Sequence, residues 1–363
     1  MSDETMVAIS GLGMVSPFGV DLEETWKKMA AGERAPLSQL TSSLSKRSFP
    51  YLAVPREAVR DYERHPRLRR SSEISHYAAI AGMNALRDAG LEETSDPSRI
   101  GVVFAISSGG VRYTTRFYHD IISTGAGTAS PLLFPETVYN APASHLAALL
   151  KLDGMSYTLV GDSMVGLSAL SFGADLVATG QLEHCVVVAS EEAEWILCEA
   201  FRRSRFFTGG DETRPFGGPG NRGTVFSEGA AAVVLSRSGN VKISKIHRGR
   251  PFFQSSEAGP ALRAVLSDLG AAPEVVVSGA NGTRLDDAEL AALDSVWPTA
   301  QKLTPKSALG ESVGAGALQQ VVLGAHLVQR GDFQRAGISA IGYNTLAAGA
   351  VLESINGSAS PSK

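Results

Sequence analysis

Tyr157-Thr158-Leu159-Val160-Gly161-Asp162-Ser163-Met164-Val165-Gly166 reads as a strand, a sharp turn and the start of a helix. β-Branched and aromatic residues end at Val160, and Gly161 and Asp162 suit a turn. Small and apolar residues then run from Gly166 to Thr179 until Gly180 stops the helix. Ser163 stands in the turn, where a helix N-terminus lends positive potential to the side chain placed there. The same rhythm extends in both directions. Strands are expected at 7–12, 100–106, 155–160, 184–189 and 230–235, and helices at 22–32, 75–89 and 166–179. The second half is briefer, with strands at 241–246, 274–278 and 350–352 and helices at 260–269, 285–296 and 312–329. This alternation predicts an α/β fold of parallel-rich sheets covered by helices. Segments 36–70 and 113–135 read as irregular loops for capping or an interface, and the Ser, Gly and Pro-rich tail 357–363 as disordered.

At 363 residues the chain suits two fused α/β halves, expected at 1–240 and 241–356. With 44% hydrophobic and 19% charged residues it can bury a large core. A net charge of −4 gives no reason to expect nucleic acid as a partner. No uncharged apolar stretch reaches the roughly 18 residues of a membrane span. Met1 to Thr5 is polar, without the pattern of a leader, so a cytoplasmic protein is expected. Two cysteines form neither a disulfide framework nor a metal cluster, and no metal is expected. Cys185, within Cys185-Val186-Val187-Val188-Ala189, reads as a small core residue.

Further motifs fall in a definite order. The chain opens with Ile9-Ser10-Gly11-Leu12-Gly13-Met14-Val15-Ser16-Pro17-Phe18-Gly19. The turn at Ser163 comes next, then Arg214-Pro215-Phe216 and Ser227-Glu228-Gly229-Ala230. Later come Ala280-Asn281-Gly282-Thr283, Lys306-Ser307-Ala308-Leu309-Gly310-Glu311 and Gly342-Tyr343-Asn344-Thr345. From about residue 6 to about 353 this set resembles the elongating β-ketoacyl-acyl-carrier-protein synthases of the thiolase superfamily. The resemblance implies a five-layer αβαβα pseudo-repeat of two mixed-sheet halves. In that family a cysteine sits at the strand-to-helix turn, one histidine follows Asn-Ala, and a second follows Lys-Ser-x-x-Gly. Here Ser163 replaces the cysteine and Asn281 the first histidine. Glu311 replaces the second, or Ser312 if the register slips by one. Lys306 matches the family's lysine, as a functional group or as a buried ion-pair partner. Tyr343 and Asn344 stand in its gating loop, and Glu228 is expected to tie loops together.

An alcohol holds its proton about as tightly as water does, far above neutrality, so a helix dipole alone leaves Ser163 unionised. Asn281 exchanges no proton near neutrality, and a carboxylate at 311 repels an enolate. Loss of all three groups resembles the chain-length factors of type II polyketide synthases. The resemblance implies a heterodimer with a cysteine-containing ketosynthase subunit and docking of an acyl carrier protein bearing phosphopantetheine. It implies no cofactor of the chain's own, and an acyl-tunnel wall near Gly109 and Thr114. The basic run Arg64 to Arg70 reads either as a solvated surface or as the docking patch for that acidic carrier. Two other readings remain: a serine acyltransferase or thioesterase using Ser163, and a homodimeric non-catalytic scaffold.

Overall fold

Ile100 to Ile106 is apolar or glycine at every position because the strand it forms is covered on both faces, and all seven residues are buried. The computed structural model of the chain describes residues 6–93, 96–204, 206, 210–343 and 346–355. In chain order it begins with β1 (Ala8–Val15), α1 (Leu22–Ala30), β2 (Leu37–Thr41), β3 (Ser48–Leu52), α2 (Arg56–Glu63) and α3 (Glu73–Asp88). Next come β4 (Ile100–Ile106), α4 (Val111–Thr124), α5 (Ala141–Leu149), β5 (Ser156–Val160), α6 (Val165–Ala178) and β6 (His184–Glu191). Then follow α7 (Trp195–Arg203), β7 (Phe226–Ser227), β8 (Gly229–Ser236), β9 (Val241–Pro251), α8 (Ala258–Leu269) and β10 (Val275–Ser278). The last are α9 (Asp286–Val296), β11 (Gln301–Leu303), α10 (Lys306–Leu309), α11 (Gly316–Arg330), β12 (Arg335–Ile341) and β13 (Leu346–Ser354).

Ten strands form one mixed sheet in the order β11-β10-β12-β13-β9-β1-β8-β6-β4-β5. Its two halves repeat one another. β5, β4 and β6 are parallel, and β8 and β1 follow antiparallel; β11, β10 and β12 are parallel, and β13 and β9 follow antiparallel. The halves meet where β1 pairs β9 through Ala8 with Lys242 and Ile9 with Val241.

Side-chain alternation builds the layers. Val103 and Ala105 of β4 point inward, together with Val277, Ile338 and Leu352 of the second half, onto Leu170 of α6 and Leu318 and Val321 of α11. Val102 and Phe104 point outward to α3, and Val276 and Val351 outward to α8 and α9. Helices therefore cover both outer faces and fill the space between the half-sheets, giving the αβαβα order. α11 is buried from Gly316 through Val328, as a helix enclosed on every side must be.

Three expectations need correction. Residues 36–70 contain the β2–β3 hairpin and α2, and Tyr113 to Thr124 belong to α4. The threonines and aromatics of α4 are weak helix formers, which hides the helix from a pattern reading, and of its residues Val111 alone is buried. Strand β12 escapes a pattern reading because Gly337 interrupts it; a Cβ there would lie 2.7 Å from Pro273 and 2.8 Å from the Trp297 ring. The helix expected at 312–329 starts at Gly316, after a 3₁₀ turn over Val313–Ala315. The tail 357–363 lies outside the described residues. Among the described residues no helix is long and apolar enough to cross a membrane.

Candidate functional site

The turn after β5 is built by backbone bonds and one carboxylate. Gly161 N–H donates to Ile106 O at 3.1 Å, and Val165 N–H to Asp162 O at 3.0 Å. Asp162 Oδ1 accepts Met164 N–H at 3.0 Å. Ser163 is buried between them. The small residues of α6 answer to close packing: a Cβ on Gly166 would lie 2.8 Å from Leu318 N, and one on Gly173 3.0 Å from Cys185 Sγ. Cys185 is thus a core residue of β6, and burial pushes its thiol up to about 12. Burial raises Cys198 likewise to about 12. Neither cysteine supplies a thiolate.

Asn281 follows β10 in a loop pinned by Asp286 at the start of α9. Asp286 accepts N–H bonds from Asn281 at 3.0 Å, Gly282 at 2.9 Å and Phe216 at 2.9 Å. Gly282, at φ +81°, passes so close to Gly223 O that a Cβ would lie 1.8 Å away. The Asn281 amide donates to Glu311 Oε2 at 2.6 Å and to the Tyr343 hydroxyl at 3.3 Å. Lys306 Nζ reaches the same Oε2 at 2.8 Å, and Val313 N–H donates to Oε1 at 2.8 Å. Glu311 is fully buried, so this is a desolvated ion pair rather than a surface one. Tyr343 packs against Phe206 and Phe201, with ring centroids 4.9 and 5.6 Å away. Burial and then the Glu311 carboxylate hold its phenol well above its ordinary value.

Asn281, Glu311, Lys306 and Tyr343 thus form one bonded cluster. Ser163 adjoins it through its neighbour: a Cβ on Gly342 would fall 2.2 Å from Asp162 Oδ2. Asn344 lies outside the described residues. Ser312, the other residue considered for the second histidine's place, donates to Gln319 Oε1 at 2.8 Å and is no member of the cluster. Gly109 and Thr114 also make none of the cluster's bonds. Gly109 has φ +76° and faces the Tyr139 ring, and Thr114 Oγ1 donates to Gly110 O at 2.9 Å.

A link between the two regions escaped the sequence reading. Glu191, at the end of β6, accepts N–H bonds from Ser108 and from Gly314, both at 3.2 Å, and burial pushes its carboxyl up to about 8. Adjacent Glu192 accepts from Ile74 at 3.2 Å and Arg112 at 2.9 Å. Two acids ending an apolar run, Glu191-Glu192, were the available signal. Glu228 ties loops as expected, accepting from Arg112 at 2.6 Å, Tyr77 at 3.0 Å and Val54 at 3.2 Å.

The seven histidines lie elsewhere. His76 bonds Leu68 O, His145 pairs with Glu136, His184 bonds Ser236, and His326 faces Glu23. His65 accepts from Arg67 N–H, His247 from Gly249 N–H, and His119 lies beside Asp120.

Two surface features accompany the site. β5 is an outer strand of the sheet, and Tyr157 and Val160 on it are exposed, Val160 by 54%. Nearby, Tyr118 and Ile122 of α4 and Leu132 and Phe134 beyond it are also exposed, Ile122 by 84%. Phe117 joins these segments, its ring centroid 5.9 Å from both Tyr118 and Phe134, and α5 packs on both the turn at Phe134 and β5. The second feature is an open cleft of about 490 Å³ lined by Arg60, Arg64, Arg69, Ser71, His76 and Tyr113, with one carboxylate, Glu73.

Residues 4–240 match the family described as beta-ketoacyl synthase, N-terminal domain. The 3-oxoacyl-(acyl-carrier-protein) synthase 2 of Coxiella burnetii is 26% identical over 361 residues, spanning 88% of this chain and 85% of that protein. Among solved structures, a beta-ketoacyl synthase from Burkholderia phymatum STM815 superposes with a TM-score of 0.84 at 19% identity, over 97% of this chain and 100% of that one. The ishigamide ketosynthase/chain length factor superposes equally, at 18% identity over 97% and 99%. A ketosynthase in complex with its chain length factor from Xenorhabdus doucetiae gives 0.77 at 14% identity, over 98% and 99%. The fold is that of these synthases, and the chain belongs to the beta-ketoacyl synthase family.

Proposed function

We propose that the chain is a ketosynthase-like subunit that performs no condensation itself and pairs with a cysteine-bearing ketosynthase as a chain-length factor. The observation that carries this reading is the chemistry of Ser163, Asn281 and Glu311. Condensation needs a thiolate to hold the acyl group and imidazoles to steer decarboxylation. At these positions stand an alcohol with no imidazole beside it, a neutral amide, and a carboxylate already bonded to Lys306, Asn281 and Val313. A buried anion there opposes formation of an enolate.

The exposed outer strand and its apolar surroundings support a partner. An unpaired strand edge and a large apolar patch are seldom left bare on a soluble chain. A ketosynthase of the same fold offers a matching edge, and Gly109 and Thr114 would then wall the shared acyl tunnel. The cleft of Arg60, Arg64 and Arg69 suits an acidic carrier protein, since clustered positive charge steers anionic partners. The reading calls for no cofactor beyond the phosphopantetheine arm of that carrier.

The test is reconstitution with a candidate ketosynthase and loaded carrier proteins, followed by mass spectrometry of the carrier. The chain alone is expected to give no β-ketoacyl product, and the pair to give one that survives Ser163→Ala. Product from the chain alone, or an acyl adduct on Ser163 whose loss abolishes activity, overturns the reading. A tight homodimer that ignores the ketosynthase in pull-down does so as well.

A further inference from the structure

Glu311 receives more donors than an ion pair requires. Its two oxygens take the Lys306 ammonium at 2.8 Å, the Asn281 amide at 2.6 Å and the Val313 N–H at 2.8 Å, and the same Asn281 amide donates to the Tyr343 hydroxyl at 3.3 Å. Lys306 and Val313 flank Glu311 in one stretch of chain, and Asn281 joins them from 30 residues away. The backbone around it is also shaped to deliver and admit a carboxylate. Val313 sits at φ +36°, a strained value for a β-branched residue, in the turn that aims its N–H at Oε1. Gly316 leaves the floor open: a Cβ there would lie 3.2 Å from Glu311 Oε1 and 3.4 Å from Lys306 Nζ. A converging cation, amide and backbone N–H are what a site for a carboxylate ligand contains.

We propose that Lys306, Asn281 and the Val313 N–H form a carboxylate-binding cradle that Glu311 fills from within the chain, and that Asn281, fixed by it, latches Tyr343 beside the turn at Ser163. The latch follows from the covalent neighbour: Gly342 is pressed against Asp162, the residue before Ser163, so holding Tyr343 holds the backbone packed on that turn. Emptied of the Glu311 side chain, the cradle takes a small monocarboxylate such as formate or acetate. It does so whether or not the chain has a ketosynthase partner.

The test uses Glu311→Ala and added sodium formate, with sodium chloride at equal ionic strength as the control. The variant melts roughly 5 °C below the unsubstituted protein. Formate, but not chloride, raises its Tm progressively with concentration, as a ligand of the native state must. The unsubstituted protein and the double variant Glu311→Ala/Lys306→Met do not respond. If Glu311→Ala fails to fold in buffer, it is refolded across a formate series, and the yield rises with formate. The latch is read from Ser163→Cys as a reporter. Its alkylation by iodoacetamide becomes roughly tenfold faster when Glu311→Ala is added, and slows again with formate. Equal responses to formate and chloride overturn the cradle, and equal alkylation with and without Glu311 overturns the latch.

Discussion

Removing the Lys306 ammonium tests how strongly the buried pair holds the site together. In Lys306→Met, Glu311 keeps its bonds from Asn281 and Val313 but loses the Lys306 ammonium, its only cation among the described residues, at a site it occupies with no exposure. Breaking such a pair from one side costs about 3–5 kcal/mol, and the surviving donors place this variant near the lower end, about 3 kcal/mol. Glu311→Gln is the reverse case: it strands a buried ammonium, which has fewer substitutes, and should cost about 4 kcal/mol. The double variant strands neither charge, and its amide oxygen can still accept from Val313. Its loss should therefore fall well short of the summed singles, with a coupling energy of about 3 kcal/mol. Urea unfolding followed by circular dichroism measures all four proteins, at one fixed protein concentration because association adds to stability. A coupling energy below about 0.5 kcal/mol would refute the argument, since the two groups would then act independently.

Val160→Lys places a charge on the outer strand and should abolish ketosynthase pairing in size-exclusion chromatography while leaving the circular dichroism spectrum intact. Thr114→Phe should shorten the product of the reconstituted pair, read by mass spectrometry, without stopping turnover; Gly109 serves this purpose less well because φ +76° strains any side chain placed there. Burial raises Glu191 and Glu192 to about 8 and Glu289 to about 7, so the folded chain keeps protons that the unfolded chain releases. Stability should then be greatest below about pH 4.5 as far as these groups are concerned, and fall by ~1 kcal/mol per pH unit for each as pH rises toward 7–8. Urea unfolding between pH 5.5 and 8.5 checks the slope, which Glu191→Gln should flatten.

Strand β4 was legible because burial on both faces demands apolar residues or glycine throughout, and α6 because its small residues end at a glycine. β12 was not, since its Gly337 serves the Trp297 ring rather than any strand preference. Nor was α4, whose threonines and aromatics are weak helix formers and whose residues beyond Val111 are not buried. The positions of Ser163, Asn281 and Glu311 were readable from order and spacing, and so was the lack of a thiol or imidazole at any of them.

Residue types and their order along the chain decided the alternating layers and the absence of a thiol or imidazole at positions 163, 281 and 311, because both depend on local identity and period. Folding decided which groups meet. Lys306 and Glu311 are five residues apart, but Asn281 joins them from 30 residues away, Tyr343 lies 62 from Asn281, and Glu191 reaches Gly314 across 123. Contacts over such separations are set by how strands register and helices pack, and no local pattern encodes them. That Glu311 is a clamped anion rather than a free base is therefore a property of the assembled layers alone.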